Sequence, residues 1–178
     1  NKAADDAAGM GVAENLDAAS RSAKVAMRNT NDGISVVQTA EGATSEVGNI
    51  VKRMRELAVQ SSSETLATAE RSYVQDEFAQ LSSEVDRISA VTEFNGLKLT
   101  NGSDTQVSVQ VGVNNTTNDR ITITMGDLRS TALGVDTTTM SLNTSASAQS
   151  AITALDTALD SINSIRSDYG AVQNRLGD

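Results

Sequence analysis

Small and apolar residues recur along the first third of the sequence with the period of one long helix. Spacings of four and three residues alternate without a slip from Val12 to Ala58, a heptad pattern sustained for roughly six heptads. We call this series the seam. Its members are Val12, Leu16, Ala19, Ala23, Ala26, Thr30, Gly33, Val37, Ala40, Thr44, Val47, Val51, Met54 and Ala58.

The string Asn31-Asp32-Gly33 lies within this segment, although Asp-Gly usually marks a tight turn. A turn would reset the heptad phase, and the seam passes through Gly33 without such a change. We therefore predict a single helix from about Ala4 to Ser61, roughly 85 Å long at 1.5 Å per residue. The absence of proline from the sequence agrees with long uninterrupted helices.

Two further amphipathic segments predict two shorter helices. After a Ser/Thr-rich stretch, Thr65 or Thr68 is expected to cap a second helix that runs to about Val91. A third helix begins near Ser147 and carries an apolar stripe almost to the end of the sequence. Because the first helix is about twice as long as either partner, it packs on both in tandem or leaves apolar surface for other molecules.

Between the second and third helices, strict alternation of apolar and polar residues predicts a β-hairpin. The apolar positions of its two strands are Val107, Val109, Val111, Ile121, Ile123 and Met125. The following Thr/Ser-rich residues, 127–147, are expected to be irregular.

These elements predict a mainly α fold. It is an elongated antiparallel bundle of two helices from the N-terminal half and one from the C-terminal half, with a β-hairpin. We expect a single domain over residues 1–178. It divides into N-terminal-half helices (1–93), the hairpin and irregular region (94–146), and the C-terminal-half helix (147–178).

Composition excludes several classes of function. The sequence contains no Cys and no His, which removes thiolate metal sites, disulfides and the commonest acid–base group. A net charge of −9 disfavours nucleic acid and anionic membranes as partners. No apolar run approaches the roughly 20 residues needed to cross a bilayer. We therefore predict no enzyme activity, no cofactor, and neither nucleic acid nor membrane as a partner.

One polar string has a faint likeness to a calcium-binding loop. It consists of Asn29, Asn31, Asp32 and Gly33. The glycine lies one place early and the rest of the twelve-residue loop is missing, so we predict no metal site.

Five segments resemble bacterial flagellin, the subunit of the flagellar filament, and occur in flagellin order. They are "NKAADDAAGMGVAENL" (1–16), "RNTNDGISVVQTAEGATSEV" (28–47), "RMRELAVQS" (53–61), "FNGLKL" (94–99) and "IRSDYGAVQNRL" (165–176). The resemblance implies a secreted structural protein of the extracellular flagellum. Such a protein polymerises with other flagellin subunits into the helical propeller used for motility.

Two alternatives remain. The hook–filament junction protein is a flagellin relative, although the matches at "RELAVQS" and "GAVQNRL" favour the filament subunit. A soluble helical-bundle binding module explains the heptads but not the signature segments.

Flagellins also carry terminal helices that pair into the inner tube of the filament, and many carry large outer domains. Neither is recognisable here. We therefore expect an excised core piece that stays monomeric.

A charged stripe near the end of the first helix is the candidate interaction site. In flagellins this region contacts other subunits, and the resemblance implies recognition by Toll-like receptor 5. The candidate residues for contact with the receptor or with other subunits are Arg53, Arg55, Glu56, Leu57, Gln60 and, on the second helix, Glu77. Of these, the resemblance matches Arg53, Leu57 and Glu77 to positions important for receptor recognition. Arginine and leucine suit such a surface, since they supply a forked donor beside an exposed apolar side chain. The alternative is a solvated flank with one apolar residue that completes the core.

Overall fold

The computed structural model describes residues 7–177, with side chains from residue 9 onward, and is mainly helical as predicted. The helices are α1 (Ala7–Ser62), α2 (Thr68–Val91), α3 (Ser130–Leu133) and α4 (Ser145–Gly177). α1 runs through Asn31-Asp32-Gly33 without a break, which confirms the prediction from the seam. The expected start at Ala4 lies outside the described residues.

The N-cap of α2 differs from the prediction. Ala67 occupies this position, so the choice of Thr65 or Thr68 was wrong. The Glu70 carboxylate accepts the backbone N–H of Ala67 at 3.1 Å, next to the positive end of the helix dipole. The Thr65 hydroxyl instead hydrogen-bonds the Ser63 hydroxyl at 2.6 Å, inside the turn that precedes the helix.

Both long partners run antiparallel to α1, as predicted. At the end of α1, the Ser145 hydroxyl of α4 donates to the Ser62 carbonyl at 2.6 Å. Far back along α1, Gln173 near the end of α4 donates to Glu41 at 3.0 Å. α2 returns along α1 after a short turn, and the two helices are joined by side chains described below.

Among the described residues, four strands form two antiparallel pairs. β1 (Glu93–Phe94) pairs with β2 (Leu97–Lys98), and β3 (Gln106–Gln110) pairs with β4 (Arg120–Thr124). In the second pair Val107 lies opposite Ile123 and Val109 opposite Ile121, which confirms the predicted hairpin. The first pair was not predicted. Its turn places Asn95 at φ 50° and Gly96 at φ 80°, the conformation that Asn-Gly favours in tight hairpins.

Two apolar clusters hold the fold together, and α1 and α4 contribute to both. The bundle cluster lies between α1, α2 and α4, with Val47, Phe78 and Leu155 fully buried. The hairpin cluster lies where α1 and α4 meet the β3–β4 hairpin, with Val37, Ile123 and Tyr169 fully buried. α1 therefore packs first on the hairpin and α4, and further along on α2 and α4.

Burial of the seam begins only part of the way along α1. Its members from Ala26 to Ala58 are buried, apart from the half-buried Thr30. Upstream, Val12 is 58% exposed and Leu16 is 67% exposed. Both expected arrangements therefore occur, because α1 packs on its partners in tandem and its first turns also leave apolar surface uncovered.

The segment between β4 and α4 belongs to the core, although it contains little regular structure. It supplies apolar side chains to the bundle cluster: Leu128, Leu133, Val135, Met140 and Leu142. The Asp136 carboxylate shapes this segment by accepting the backbone N–H groups of Thr138 and Thr139 at 2.9 and 3.2 Å. Within residues 7–177, no helix combines the length and apolar character needed to cross a membrane.

Candidate interaction surface

Arg53 joins α1 to α2 through exposed carboxylates. Its Nε and one terminal nitrogen lie 2.9 and 2.8 Å from Oε1 of Glu77. Its other terminal nitrogen lies 2.9 Å from Oε2 of Glu56. These hydrogen bonds, with the one to Glu56 foremost, raise the pKa of Arg53 above its ordinary value. The side chains of Arg53, Glu77 and Glu56 are 50%, 45% and 67% exposed, and we call these three residues the Arg53 cluster.

Arg55 contacts a different helix. Its guanidinium makes two hydrogen bonds to Asp156 of α4, at 2.6 and 3.3 Å. The bond from Arg55 lowers the pKa of Asp156. Residues two apart in a helix point in directions about 200° apart. Arg53 therefore lies on the α2 side of α1 and Arg55 on the α4 side, so the predicted residues do not form one continuous surface.

Leu57 belongs to the core and not to the exposed surface. It is 1% exposed and lies in the bundle cluster, so its expected exposure was wrong. The reason is that α1 is covered by two helices in this stretch, which widens the buried arc beyond Met54 and Ala58 of the seam. Gln60, near the end of the helix, is exposed.

A set of hydrogen bonds that sequence reasoning missed holds the adjacent α1–α2 turn. The Arg71 guanidinium donates to the carbonyls of Ser61 and Ser63 at 3.1 and 2.6 Å. The Ser61 hydroxyl donates to the Leu142 carbonyl at 2.6 Å, and Gln75 accepts the Leu142 N–H at the same distance. These bonds fix α2, and with it Glu77, relative to α1.

Further towards the start of α1, the string Asn29 to Gly33 that resembles a calcium-binding loop contacts the β3–β4 hairpin. The Asn29 side chain donates to the Gln110 carbonyl of β3 at 3.1 Å. A Cβ at position 33 would lie 3.0 Å from a Val109 methyl group, so Gly33 lets the hairpin approach α1 closely. No group of three or more acidic, His or Cys side chains suited to a metal ion occurs among the described residues.

Tyr169, within the segment "IRSDYGAVQNRL", attaches the hairpin to α4. It is fully buried, and its hydroxyl accepts the Gly126 N–H at 3.0 Å. Burial raises the pKa of Tyr169. A Cβ at Gly126 would lie only 2.7 Å from Ile165, so the backbone after β4 reaches α4 through a position without a side chain.

Comparison with known proteins identifies relatives over almost the whole chain. Residues 1–105 match the bacterial flagellin N-terminal helical region. A flagellin from Halalkalibacterium halodurans is 45% identical over 99% of this chain and 64% of its own length. Flagellin D from Vibrio cholerae is 44% identical over 73% of this chain and 34% of its own length. The chain thus spans less than two thirds of the length of these relatives.

Solved structures agree with the sequence relatives. The crystal structure of Bacillus cereus flagellin superposes with a TM-score of 0.74 and 32% identity, over 85% of each chain. FliC from Burkholderia pseudomallei shares the fold with a TM-score of 0.69 and 20% identity, over 80% of this chain and 99% of that one. The long α1, the bundle and the hairpin are therefore features of a known fold, and the chain belongs to the bacterial flagellin family.

Proposed function

We propose that this chain forms part of the structural subunit of a bacterial flagellar filament, an extracellular polymer that serves motility. The observation that carries the proposal is the 45% identity to a flagellin over 99% of the chain. Flagellins are structural proteins, which agrees with the prediction that the chain is not an enzyme.

The arrangement of surfaces is suited to self-assembly. Copies that meet through two different surfaces, rather than through one shared surface, continue as an open helical polymer. The uncovered seam around Val12 and Leu16 and the charged surfaces of α1 and α2 face solvent in the single chain. They are available for contacts with neighbouring copies, while the two apolar clusters keep each copy rigid.

Electron microscopy tests this proposal. The full-length polypeptide, expressed in bacteria that lack their own flagellin, should give filaments and restore swimming. Antibody against this chain should label the filament along its whole length. Labelling confined to the base would favour the hook–filament junction protein, and cells without filaments would contradict the proposal.

We also propose that the Arg53 cluster contributes to recognition by Toll-like receptor 5. The supporting observation is that Arg53 and Glu77, which match receptor-recognition positions of other flagellins, are exposed and lie 2.8 Å apart, with the exposed Glu56 beside them. A forked guanidinium flanked by two carboxylates offers both donors and acceptors to a partner. Leu57 contributes indirectly, because its packing in the bundle cluster holds α1 in the orientation that presents the Arg53 cluster.

The receptor proposal is tested with the purified chain and the receptor ectodomain. Arg53→Ala and Glu77→Ala should each weaken binding about tenfold if these residues are hot spots. The matched control is Arg87→Ala, which removes an exposed ion pair with Glu84 elsewhere on α2. Circular dichroism should show all three variants folded. Equal binding of the parent and both cluster variants would refute the proposal, as would a parent that does not bind.

A further inference from the structure

A polar groove runs along the outer surface between α1 and α4. Its volume is about 130 Å³, and its floor contains Gly48 and Ile162. A Cβ at Gly48 would lie 3.4 Å from Ile162, so the missing side chain leaves the groove open above this contact. The polar side chains that line the groove are Thr44, Ser45, Asn49 and Lys52 from α1 and Asn163 and Arg166 from α4. We call this the α1–α4 groove.

The two cations of the groove, Lys52 and Arg166, have no hydrogen-bond or ion-pair partner among the residues that the structure describes. Between residues 30 and 170, a stretch that the structure describes throughout, every Lys and Arg side chain other than Lys52 and Arg166 has a hydrogen-bond or ion-pair partner. The partnered side chains are Arg53, Arg55, Arg71, Arg87, Lys98, Arg120 and Arg129. Two unpaired cations in one groove make a local positive site on a chain whose net charge is −9.

A complementary surface lies on the outer side of α2. Tyr73 is 75% exposed, more than any other large apolar or aromatic side chain among the described residues. Asp76 and Gln80 follow at the third and seventh positions, so all three lie on one stripe of the helix. The other acidic residues of α2 hold a partner in the described structure, whereas Asp76 does not. Those partnered residues are Glu70, Glu77, Glu84 and Asp86.

We propose that the Tyr73–Asp76–Gln80 stripe of one copy docks on the α1–α4 groove of a second copy. The inference rests on the proposed self-assembly and assigns residues to one of its contacts. Asp76 approaches Lys52 and Arg166, and Gln80 meets the amides of Asn49 and Asn163. Tyr73 supplies the large, partly polar contact that is enriched at protein interfaces.

Charge explains why these two surfaces would select one another. Acidic copies repel at long range, so a stable contact needs a local region of opposite sign. The groove is lined by α1 and α4 only, and the stripe lies on α2, so each copy carries one of each on different faces. The contact is therefore heterologous and continues from copy to copy.

Charge reversal tests the contact in the full-length polypeptide. Lys52→Glu with Arg166→Glu should slow filament growth about tenfold, and Asp76→Lys should also slow it. Combining all three changes restores opposite charges across the contact and should recover most of the rate. The matched control is Asp168→Lys, an exposed acidic position on another face of α4 that should leave the rate unchanged.

Cross-linking supplies a second readout. Because the sequence contains no Cys, Gln80→Cys and Asn49→Cys introduce the only thiols in this chain. A short bis-maleimide should join the two variants in mixed filaments and should not join either variant to itself. If the wild type forms filaments but both charge-reversal variants assemble at the wild-type rate, or the two Cys variants give no mixed cross-link, this inference is overturned and the proposed function is left intact. Failure of the wild type to form filaments would overturn both.

Discussion

Gly33 of α1 lies directly against Val109 of β3: a Cβ at position 33 would be 3.0 and 3.2 Å from the two Val109 methyl groups. The glycine that looks like a turn signal in the sequence is therefore the place where the hairpin meets an unbroken helix. Glycine has a lower helix propensity than alanine, but at this position the absence of a side chain lets the helix and the strand come close together.

This contact predicts opposite effects at two glycines of α1. Gly42 has open space around it, so Gly42→Ala should stabilise the fold by about 0.5–1 kcal/mol through helix propensity. At Gly33 the added methyl group meets a stiff β-branched side chain. Overpacking there, at roughly 1–3 kcal/mol, should outweigh the propensity gain. Urea unfolding of both variants measures the difference. Equal stabilisation at the two positions would contradict the close packing of the hairpin on α1.

Leu57 should behave as a core residue. Leu57→Ala should lower the free energy of unfolding by about 2–4 kcal/mol, because it leaves a cavity between the helices. Val59, two positions later, is 47% exposed and serves as the control. Val59→Ala should change stability by no more than about 0.5 kcal/mol. A Leu57→Ala variant as stable as the parent would place this side chain at the surface after all.

The Tyr169 hydroxyl should contribute to stability through the Gly126 N–H. Tyr169→Phe keeps the ring but leaves that N–H without its acceptor, at a cost of about 1–2 kcal/mol. Tyr73→Phe removes the hydroxyl of a tyrosine that is 75% exposed and should be nearly neutral. Thermal or urea unfolding compares the two variants. If both variants lose equally little stability, the hydrogen bond between the Tyr169 hydroxyl and the Gly126 N–H is not important for the stability of the fold.

Asp136 should make the fold sensitive to acid. Its carboxylate accepts hydrogen bonds from the side chains and backbone N–H groups of Thr138 and Thr139, and these lower its pKa to about 2. An unfolded Asp titrates near 3.9, so this contribution is present above about pH 4 and is lost as the pH falls towards 2.

The acid sensitivity is measured as the slope of the unfolding free energy against pH. Asp136→Asn cannot ionise, so its slope between about pH 4 and 2 should be shallower than that of the parent. A slope unchanged by Asp136→Asn would show that the other acidic groups account for the acid response.

The elements with strong periodicity could be predicted from the sequence. The heptad pattern extends over tens of residues, so it is stronger evidence for a continuous helix than the local turn signal at Gly33 is against it. Alternation in the hairpin identified its buried face, and Val109 and Ile121 lie opposite each other on that face. Both patterns reflect burial that repeats with a fixed period.

Features that depend on aperiodic contacts could not be predicted in the same way. Leu142 reaches the core from a segment without a repeating pattern, where its backbone is held by Ser61 and Gln75. Leu57 lies one step from the seam, and only the presence of a second covering helix buries it. The partners of Arg53 and Arg55 depend on which helix lies on each side of α1, which the sequence of α1 alone does not specify.

α1 and α4 both extend through the hairpin cluster and the bundle cluster, and neither helix is interrupted between them. The two clusters are therefore joined by the same pair of antiparallel helices, α1 and α4. A twist of one cluster relative to the other must shear side-chain packing along both helices at once, because no loop interrupts either helix between the clusters. Torque applied at one end should then be transmitted to the other end with little twisting of the molecule. Its stiffness is set by the pairing of α1 with α4.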